Sequence, residues 1–115
     1  MKTFKEWKEK TADASQLLSK VQQRIHSITP NAKVILYGSR SRGQAGKFSD
    51  WDFLIIIDQP VDGNIIRKIR DSLYEIELES DEIISSIIRT KKEWHSPRYA
   101  VLPCKRTVDQ DGILL

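Results

Sequence analysis

Apolar residues recur along the chain at two different spacings, which separate predicted helices from predicted strands. Between residues 4 and 28 the spacing is three to four positions, which predicts an amphipathic helix. A second helix with the same spacing is predicted to begin at Asp62 and to end near Ser80 and Asp81. Three short runs rich in branched side chains predict strands instead, at residues 33–37, 51–58 and 82–89.

The segment after the third strand carries a helix-start signal. Thr90 and Glu93 have the spacing of a capping box, which predicts a short helix or turn around Trp94. Pro97 and Pro103 predict irregular structure beyond it. The last eight residues, 108–115, predict a helical turn followed by a short apolar end.

The order helix, strand, loop, strand, helix, strand predicts the fold class. It indicates one small α/β (α+β) domain over residues 1–115, with a mixed sheet of three or more strands. Helices are expected to pack on one face of the sheet and to leave the other face free for a site. The connection between the first two strands leaves open whether they run parallel or antiparallel.

The amino-acid composition excludes few of the classes of partner that the protein could bind. The 19 basic and 16 acidic residues are interspersed, so the net charge of +3 fits phosphate binding by a few arginines and does not favour nucleic acid. A single cysteine, Cys104, excludes an internal disulfide. No apolar run reaches the roughly 18 residues that a membrane span needs. The N-terminus has no signal-peptide pattern, so we expect a cytoplasmic protein.

The loop after the first strand is suited to bind phosphate. Gly38 lets the backbone turn without a side chain, so that consecutive N–H groups can approach an anion. Ser39 adds a hydroxyl donor at the same place. Arg40 and Arg42 carry planar guanidinium groups that match phosphate oxygens. These four residues are the predicted nucleotide-binding set.

Two carboxylates follow this loop at the start of the second strand. Asp50 and Asp52 are two positions apart, so on a strand their side chains point to the same face. Converging carboxylate oxygens are ligands that Mg²⁺ prefers, usually together with substrate phosphates. A glycine-serine turn or an aspartate pair is ordinary when alone. Their combination between two predicted strands favours a site for a nucleoside triphosphate and magnesium.

The motif Gly38-Ser39-Arg40-Ser41-Arg42-Gly43, followed by Ser49-Asp50-Trp51-Asp52, resembles the signature of the minimal nucleotidyltransferases. These belong to the DNA polymerase beta-like superfamily, and the similarity extends over most of the chain. The resemblance implies that the glycine-serine turn binds the triphosphate and that both aspartates bind magnesium. A tryptophan between the two aspartates departs from the family pattern, where a small aliphatic residue is commoner.

The resemblance also implies a third carboxylate on a later strand, which helps to activate the acceptor. Asp81, at the start of the predicted third strand, is our choice, so that Asp50, Asp52 and Asp81 form the predicted catalytic and metal-binding set. Glu79 and Glu82 are the alternatives, whereas Ser85 has no carboxylate to offer.

Two functions follow from this reading. The first is magnesium-dependent transfer of a nucleoside monophosphate, AMP from ATP, to a protein or other hydroxyl acceptor. The chain has no room for a separate acceptor domain, so a partner or a second copy of the chain would supply that site. Short members of the family are paired with a small helical protein of the HEPN type as a toxin–antitoxin module. The alternative is a non-catalytic module that binds a nucleotide or a partner and neutralises the partner by occupancy.

Overall fold

The computed structural model describes residues 1–7, 11–46, 48–60 and 62–115. These residues form five strands and five helices. In chain order they are β1 (Lys2–Thr3), α1 (Ala12–Ile28), β2 (Lys33–Tyr37), β3 (Trp51–Ile57), α2 (Gly63–Ser80), β4 (Ile84–Thr90), α3 (Lys91–Trp94), α4 (Pro97–Ala100), α5 (Pro103–Asp111) and β5 (Ile113–Leu114).

The strands form one mixed sheet in the order β1-β5-β2-β3-β4. Strands β2 and β3 are antiparallel, which answers the question that the sequence left open, while β3 and β4 are parallel. The helix α2 makes the crossover that a parallel pair requires. The three predicted strands and the α/β class are therefore confirmed. The two-residue strands at the chain ends are too short to leave a periodic signal.

The first helix is shorter than predicted. It begins at Ala12, where Thr11 is the N-cap and accepts a hydrogen bond from the Ala14 N–H. Upstream, Phe4 donates its N–H to the Leu114 carbonyl at 2.9 Å, which extends the β1–β5 contact. This sheet contact takes Phe4 out of the predicted helix, and residues 8–10 of that prediction lie outside the described residues.

The principal core lies between the sheet and the two long helices. Val21 and Ile25 of α1 and Ile69 and Ile76 of α2 are fully buried against alternate residues of the strands. Among the strand residues in this cluster are Val34, Leu36, Trp51, Phe53, Ile55 and Ile57. Burial of this apolar surface is the main stabilising term of the fold. It also fixes the register of β3, because a slip by one residue would remove these side chains from the principal core and move them to the other face of the sheet.

The second face of the sheet is not left free, which corrects one prediction. Ile35, Leu54 and Ile56 pack there with Trp94 of α3 and Val108 of α5. The two prolines do not make this region irregular, because each stands at the first helical turn of α4 or α5, where its missing N–H costs nothing. Helices α3 and α5 therefore cover the part of this face that Ile35, Leu54 and Ile56 occupy.

The remaining helix predictions are confirmed with small changes in their limits. Asp62 is the N-cap of α2 and accepts a hydrogen bond from Ile65 at 2.9 Å. Thr90 and Glu93 form the predicted capping box at the start of α3. No described helix is long and apolar enough to cross a membrane.

Candidate nucleotide and metal site

Asp50 and Asp52 lie where β3 begins, on the face of the sheet opposite the principal core. Asp50 directly precedes the strand and is exposed, while Asp52 is its second residue and is partly buried. In the sheet register, Asp52 lies between Tyr37 of β2 and Ser85 of β4. The Ser85 hydroxyl donates a hydrogen bond to Asp50 Oδ2 at 3.1 Å. The two carboxylates therefore share one end of one face, as their spacing predicts.

The electrostatics of the pair suit a divalent cation. Burial raises the pKa of the Asp52 carboxyl above its ordinary value, and the neighbouring charge of Asp50 raises this pKa further. Burial also raises the pKa of the adjacent Tyr37 phenol, to about 12, so this side chain is neutral at physiological pH. Within the part of the chain that the structure describes, Asp52 forms no ion pair. The hard carboxylate oxygens of Asp50 and Asp52 form a donor set that fits Mg²⁺.

The glycine-serine turn lies directly against Asp52. Gly38 has a φ of +82°, and a Cβ atom at this position would lie 2.5 Å from Asp52 Oδ2. The following residues fold into tight turns, in which Ser41 donates both its N–H and its hydroxyl to the Gly38 carbonyl, at 3.1 and 2.7 Å. Glycine is therefore required here for two reasons, the left-handed backbone and the space that the carboxylate occupies.

Replacement of Gly38 by alanine should damage both the fold and the metal site. We expect a loss of about 1–2 kcal/mol in stability from the left-handed backbone alone. The added methyl group would also displace the Asp52 carboxylate, so Mn²⁺ affinity should fall about tenfold or more. Thermal unfolding and Mn²⁺ titration calorimetry measure the two effects.

Gly63→Ala is the matched control, because a Cβ at Gly63 meets nothing within 4 Å. It should leave metal affinity unchanged. Equal Mn²⁺ affinity in the Gly38 variant and the wild type would show that the turn and the carboxylate are not coupled.

The two arginines of the turn make different contacts. Arg42 lies at the surface, where its guanidinium bonds Gln44 Oε1 at 3.1 Å and faces Asp111 at 3.7 Å. It remains accessible to a phosphate. Arg40 is largely buried and points to the other side of the sheet, where two of its nitrogens bind the Ser49 carbonyl at 3.2 and 2.9 Å. The contacts of Arg40 thus differ from those predicted for a phosphate ligand.

The third predicted carboxylate does not stand where the sequence placed it. Asp81 is the C-cap of α2, in a left-handed conformation with φ of 59°, and β4 begins three residues later. The described residues contain no group of three or more acidic, His or Cys side chains that could hold a metal. Asp81 therefore does not complete such a group with Asp50 and Asp52. The prediction that Asp81 begins the third strand was wrong, because the helix continues to Ser80 and a turn precedes the strand.

The two alternatives are also engaged elsewhere. Glu79 forms ion pairs with Lys20 and Arg24 at the contact between α1 and α2. These contacts lower the pKa of the Glu79 carboxyl, the hydrogen bond from Lys20 contributing most. Glu82 accepts a hydrogen bond from the Trp51 indole at 3.1 Å, behind the sheet.

Ser85 occupies the place beside the aspartates that we assigned to the third carboxylate. It is the register partner of Asp52 on the parallel neighbouring strand, so both side chains are on one face. Sequence reasoning noted that Ser85 has no carboxylate but did not place it opposite Asp52. Ile84 and Ile88 pack against the principal core and alternate along β4 with Ser85 and Ile87, but this alternation places Ser85 opposite Asp52 only once the strand limits are known.

Comparison with known protein families gives one match. The family of the nucleotidyltransferase domain matches residues 15–109, which include the turn, both aspartates and all of β4. The chain belongs to this nucleotidyltransferase family. None of the curated proteins compared with the chain matches it significantly.

Membership in the nucleotidyltransferase family confirms the resemblance seen in the motif and agrees with the mixed sheet. It supports nucleotidyl transfer as the type of chemistry, with a nucleotide as substrate. The nucleotidyltransferase motif lies at one end of the sheet, where Gly38 contacts the carboxylate of Asp52.

Proposed function

We propose that the protein transfers a nucleoside monophosphate, AMP from ATP, to a hydroxyl group of an acceptor, with Mg²⁺ as cofactor. The observation that supports this most is the close approach of Gly38 to the Asp52 carboxylate. It puts a turn suited to phosphate next to a carboxylate pair suited to a divalent cation. Both halves of a triphosphate–metal site are thereby adjacent.

Each residue has a defined role in this proposal. Asp50 and Asp52 would hold the cation, which would polarise the α-phosphate and stabilise the pyrophosphate leaving group. Ser39 would donate its hydroxyl, and Arg42 its guanidinium, to phosphate oxygens. Ser85 keeps Asp50 oriented through its hydrogen bond at 3.1 Å. The use of ATP agrees with the cytoplasmic location predicted from the sequence.

The acceptor is proposed to be a protein. The described helices α3, α4 and α5 are short and add no separate acceptor domain to the sheet. By its resemblance to short nucleotidyltransferases, we propose a small helical partner of the HEPN type, with this chain as the antitoxin. Addition of AMP to that partner would then neutralise it.

A second function is favoured by one observation, the serine at the register position of Asp52. A site with two carboxylates can retain nucleotide and metal while losing the group that activates the acceptor hydroxyl. The protein would then act as a binding module that neutralises a partner by occupancy. The serine at position 85 is therefore the observation that supports the binding module, and an activity assay separates the two functions.

The direct test is incubation with Mg²⁺ and ATP labelled at the α-phosphate, with and without a HEPN-type partner protein. Covalent label on the partner, with release of pyrophosphate, is the expected result. Label that is bound but never transferred would support the binding module. The Asp50→Asn, Asp52→Asn double variant is the control for both outcomes.

A further inference from the structure

A cluster of three side chains lies behind the sheet, on the side opposite the two aspartates. The Arg40 guanidinium stacks on the Trp51 ring, with its central carbon 4.5 Å from the ring centroid. The same guanidinium lies 3.6 Å from Glu82 Oε2, which also accepts the hydrogen bond of the Trp51 indole at 3.1 Å. Trp51 is only 5% exposed. We call Arg40, Trp51 and Glu82 the rear cluster.

The rear cluster is joined to the aspartates through the backbone. Arg40 binds the Ser49 carbonyl through two nitrogens, and this carbonyl belongs to the peptide group that leads into Asp50. Trp51 is the residue between the two aspartates, so its indole fixes the backbone of the pair from the opposite face. Arg40 also directly follows Ser39, so the same residue belongs to the glycine-serine turn.

From these contacts we infer that Arg40 is a positioning residue, which holds the aspartate pair at a set place relative to the glycine-serine turn. This inference deepens the proposed function and rests on it. A largely buried guanidinium that bonds a carbonyl, faces a carboxylate and stacks on an aromatic ring is held in one orientation. Loss of this guanidinium would let the backbone at Asp50 rotate, so that the carboxylates of Asp50 and Asp52 would no longer be held at a fixed separation.

The rear cluster also explains why tryptophan stands between the two aspartates. A small aliphatic residue could fill the core at this point, but it could not accept the guanidinium on a ring face or donate to Glu82. Trp51 therefore connects β3 to β4 through Glu82 and to the turn through Arg40. The two aspartates and Ser85 are held in one rigid unit by these links.

Arg40→Gln tests the inference with two probes that separate positioning from direct phosphate binding. Affinity for Mn²⁺ alone, measured by calorimetry, should fall about tenfold, because loss of a group that orients metal ligands costs about 10- to 100-fold. Affinity for inorganic tripolyphosphate in the presence of a chelator should stay at the wild-type value. The opposite pattern, weaker tripolyphosphate with unchanged Mn²⁺, would make Arg40 a phosphate ligand and overturn the inference.

Arg24→Gln is the matched control, because Arg24 is a partly buried arginine with two ion pairs, at the α1–α2 contact away from the site. It should change neither affinity. Trp51→Phe is the second variant, to be used if Arg40→Gln does not fold. It keeps an aromatic ring for the guanidinium but removes the N–H donor and part of the buried ring, and it should lower Mn²⁺ affinity about threefold or more. Unchanged Mn²⁺ affinity in the folded variants would overturn the inference.

A readout without metal separates this inference from the proposed function. Hydrogen–deuterium exchange of residues 49–53 should be faster in Arg40→Gln than in Arg24→Gln. If the wild type binds no Mn²⁺, the proposed function fails, and the exchange rates then test the positioning role of Arg40 by themselves. Equal exchange rates in Arg40→Gln and Arg24→Gln would contradict that positioning role.

Discussion

Asp50→Asn combined with Asp52→Asn should abolish binding of magnesium–ATP while leaving the fold intact. The two carboxylates supply the charged oxygens on this face of the sheet end, and amides cannot replace them as anionic ligands. We expect magnesium–ATP affinity to fall about 100-fold or more. Loss of a residue that only orients a metal ligand costs about 10- to 100-fold, and loss of the ligands themselves should cost at least as much. Titration calorimetry measures this directly, and unchanged affinity would remove the aspartates from the site.

The same double variant should be slightly more stable than the wild type at neutral pH. The pKa of Asp52 is raised in the folded protein, by burial first and by Asp50 second. The folded state therefore binds its proton more tightly than the unfolded state does. Stability is lost as pH rises from the ordinary carboxyl pKa through the raised one. Removing the charges abolishes this loss, so the melting temperature at pH 7 should rise.

The raised pKa also predicts how metal binding depends on pH. A proton on Asp52 competes with the cation, so Mn²⁺ affinity should decline as pH falls through the raised pKa of Asp52. The decline should begin at a higher pH than for an exposed aspartate with an ordinary pKa. Calorimetry across a pH series measures the midpoint, and a midpoint at the ordinary carboxyl value would contradict the role of burial.

Ser85→Asp should add a third carboxylate beside Asp50 and Asp52, where the described residues form no group of three acidic, His or Cys side chains that could hold a metal. Ser85 lies opposite Asp52 in the parallel register, and its hydroxyl is 3.1 Å from Asp50 Oδ2. An aspartate there would add an anionic ligand at the same end of the same face. We expect Mn²⁺ affinity to rise about tenfold or more. If an acceptor is present, transfer of labelled AMP should rise by about 10².

Three carboxylates repel one another without metal, so the apo form of Ser85→Asp should be less stable than the wild type. Added Mn²⁺ should restore its melting temperature. A variant that binds Mn²⁺ no better than the wild type would show that position 85 does not reach the cation. If the wild type transfers no label and Ser85→Asp does, the natural protein is a binding module.

Ser86→Asp is the matched control for this gain of function. Ser86 follows Ser85 on the same strand, faces the other side of the sheet and lies 3.4 Å from Arg70 Nη1. A carboxylate there would pair with Arg70 and should not alter Mn²⁺ affinity. Asp81→Asn is the control for the residue first chosen from the sequence, and it should also leave Mn²⁺ affinity unchanged.

The local sequence pattern was sufficient to predict the main helices and strands and to place the two aspartates on one face. Three- to four-residue spacing predicted the two long helices, and runs of branched residues predicted the three longest strands, because burial of one face of an element imposes its period. The i, i+2 rule put Asp50 and Asp52 on one face without any knowledge of the sheet. The motif that carries the family resemblance is likewise local, since it lies in the turn and at the start of the strand that follows it.

Everything that depends on which strands are neighbours was decided only by the tertiary structure. The parallel register of β3 and β4 brought Ser85, and not Asp81, to the aspartates. The packing of α3 to α5 covered a face that periodicity left free. Arg40 turned toward Trp51 and Glu82, far away in sequence, and not toward the predicted phosphate. Periodicity reports which face of one element is buried, whereas contacts between elements also depend on strand order, register and the limits of each helix.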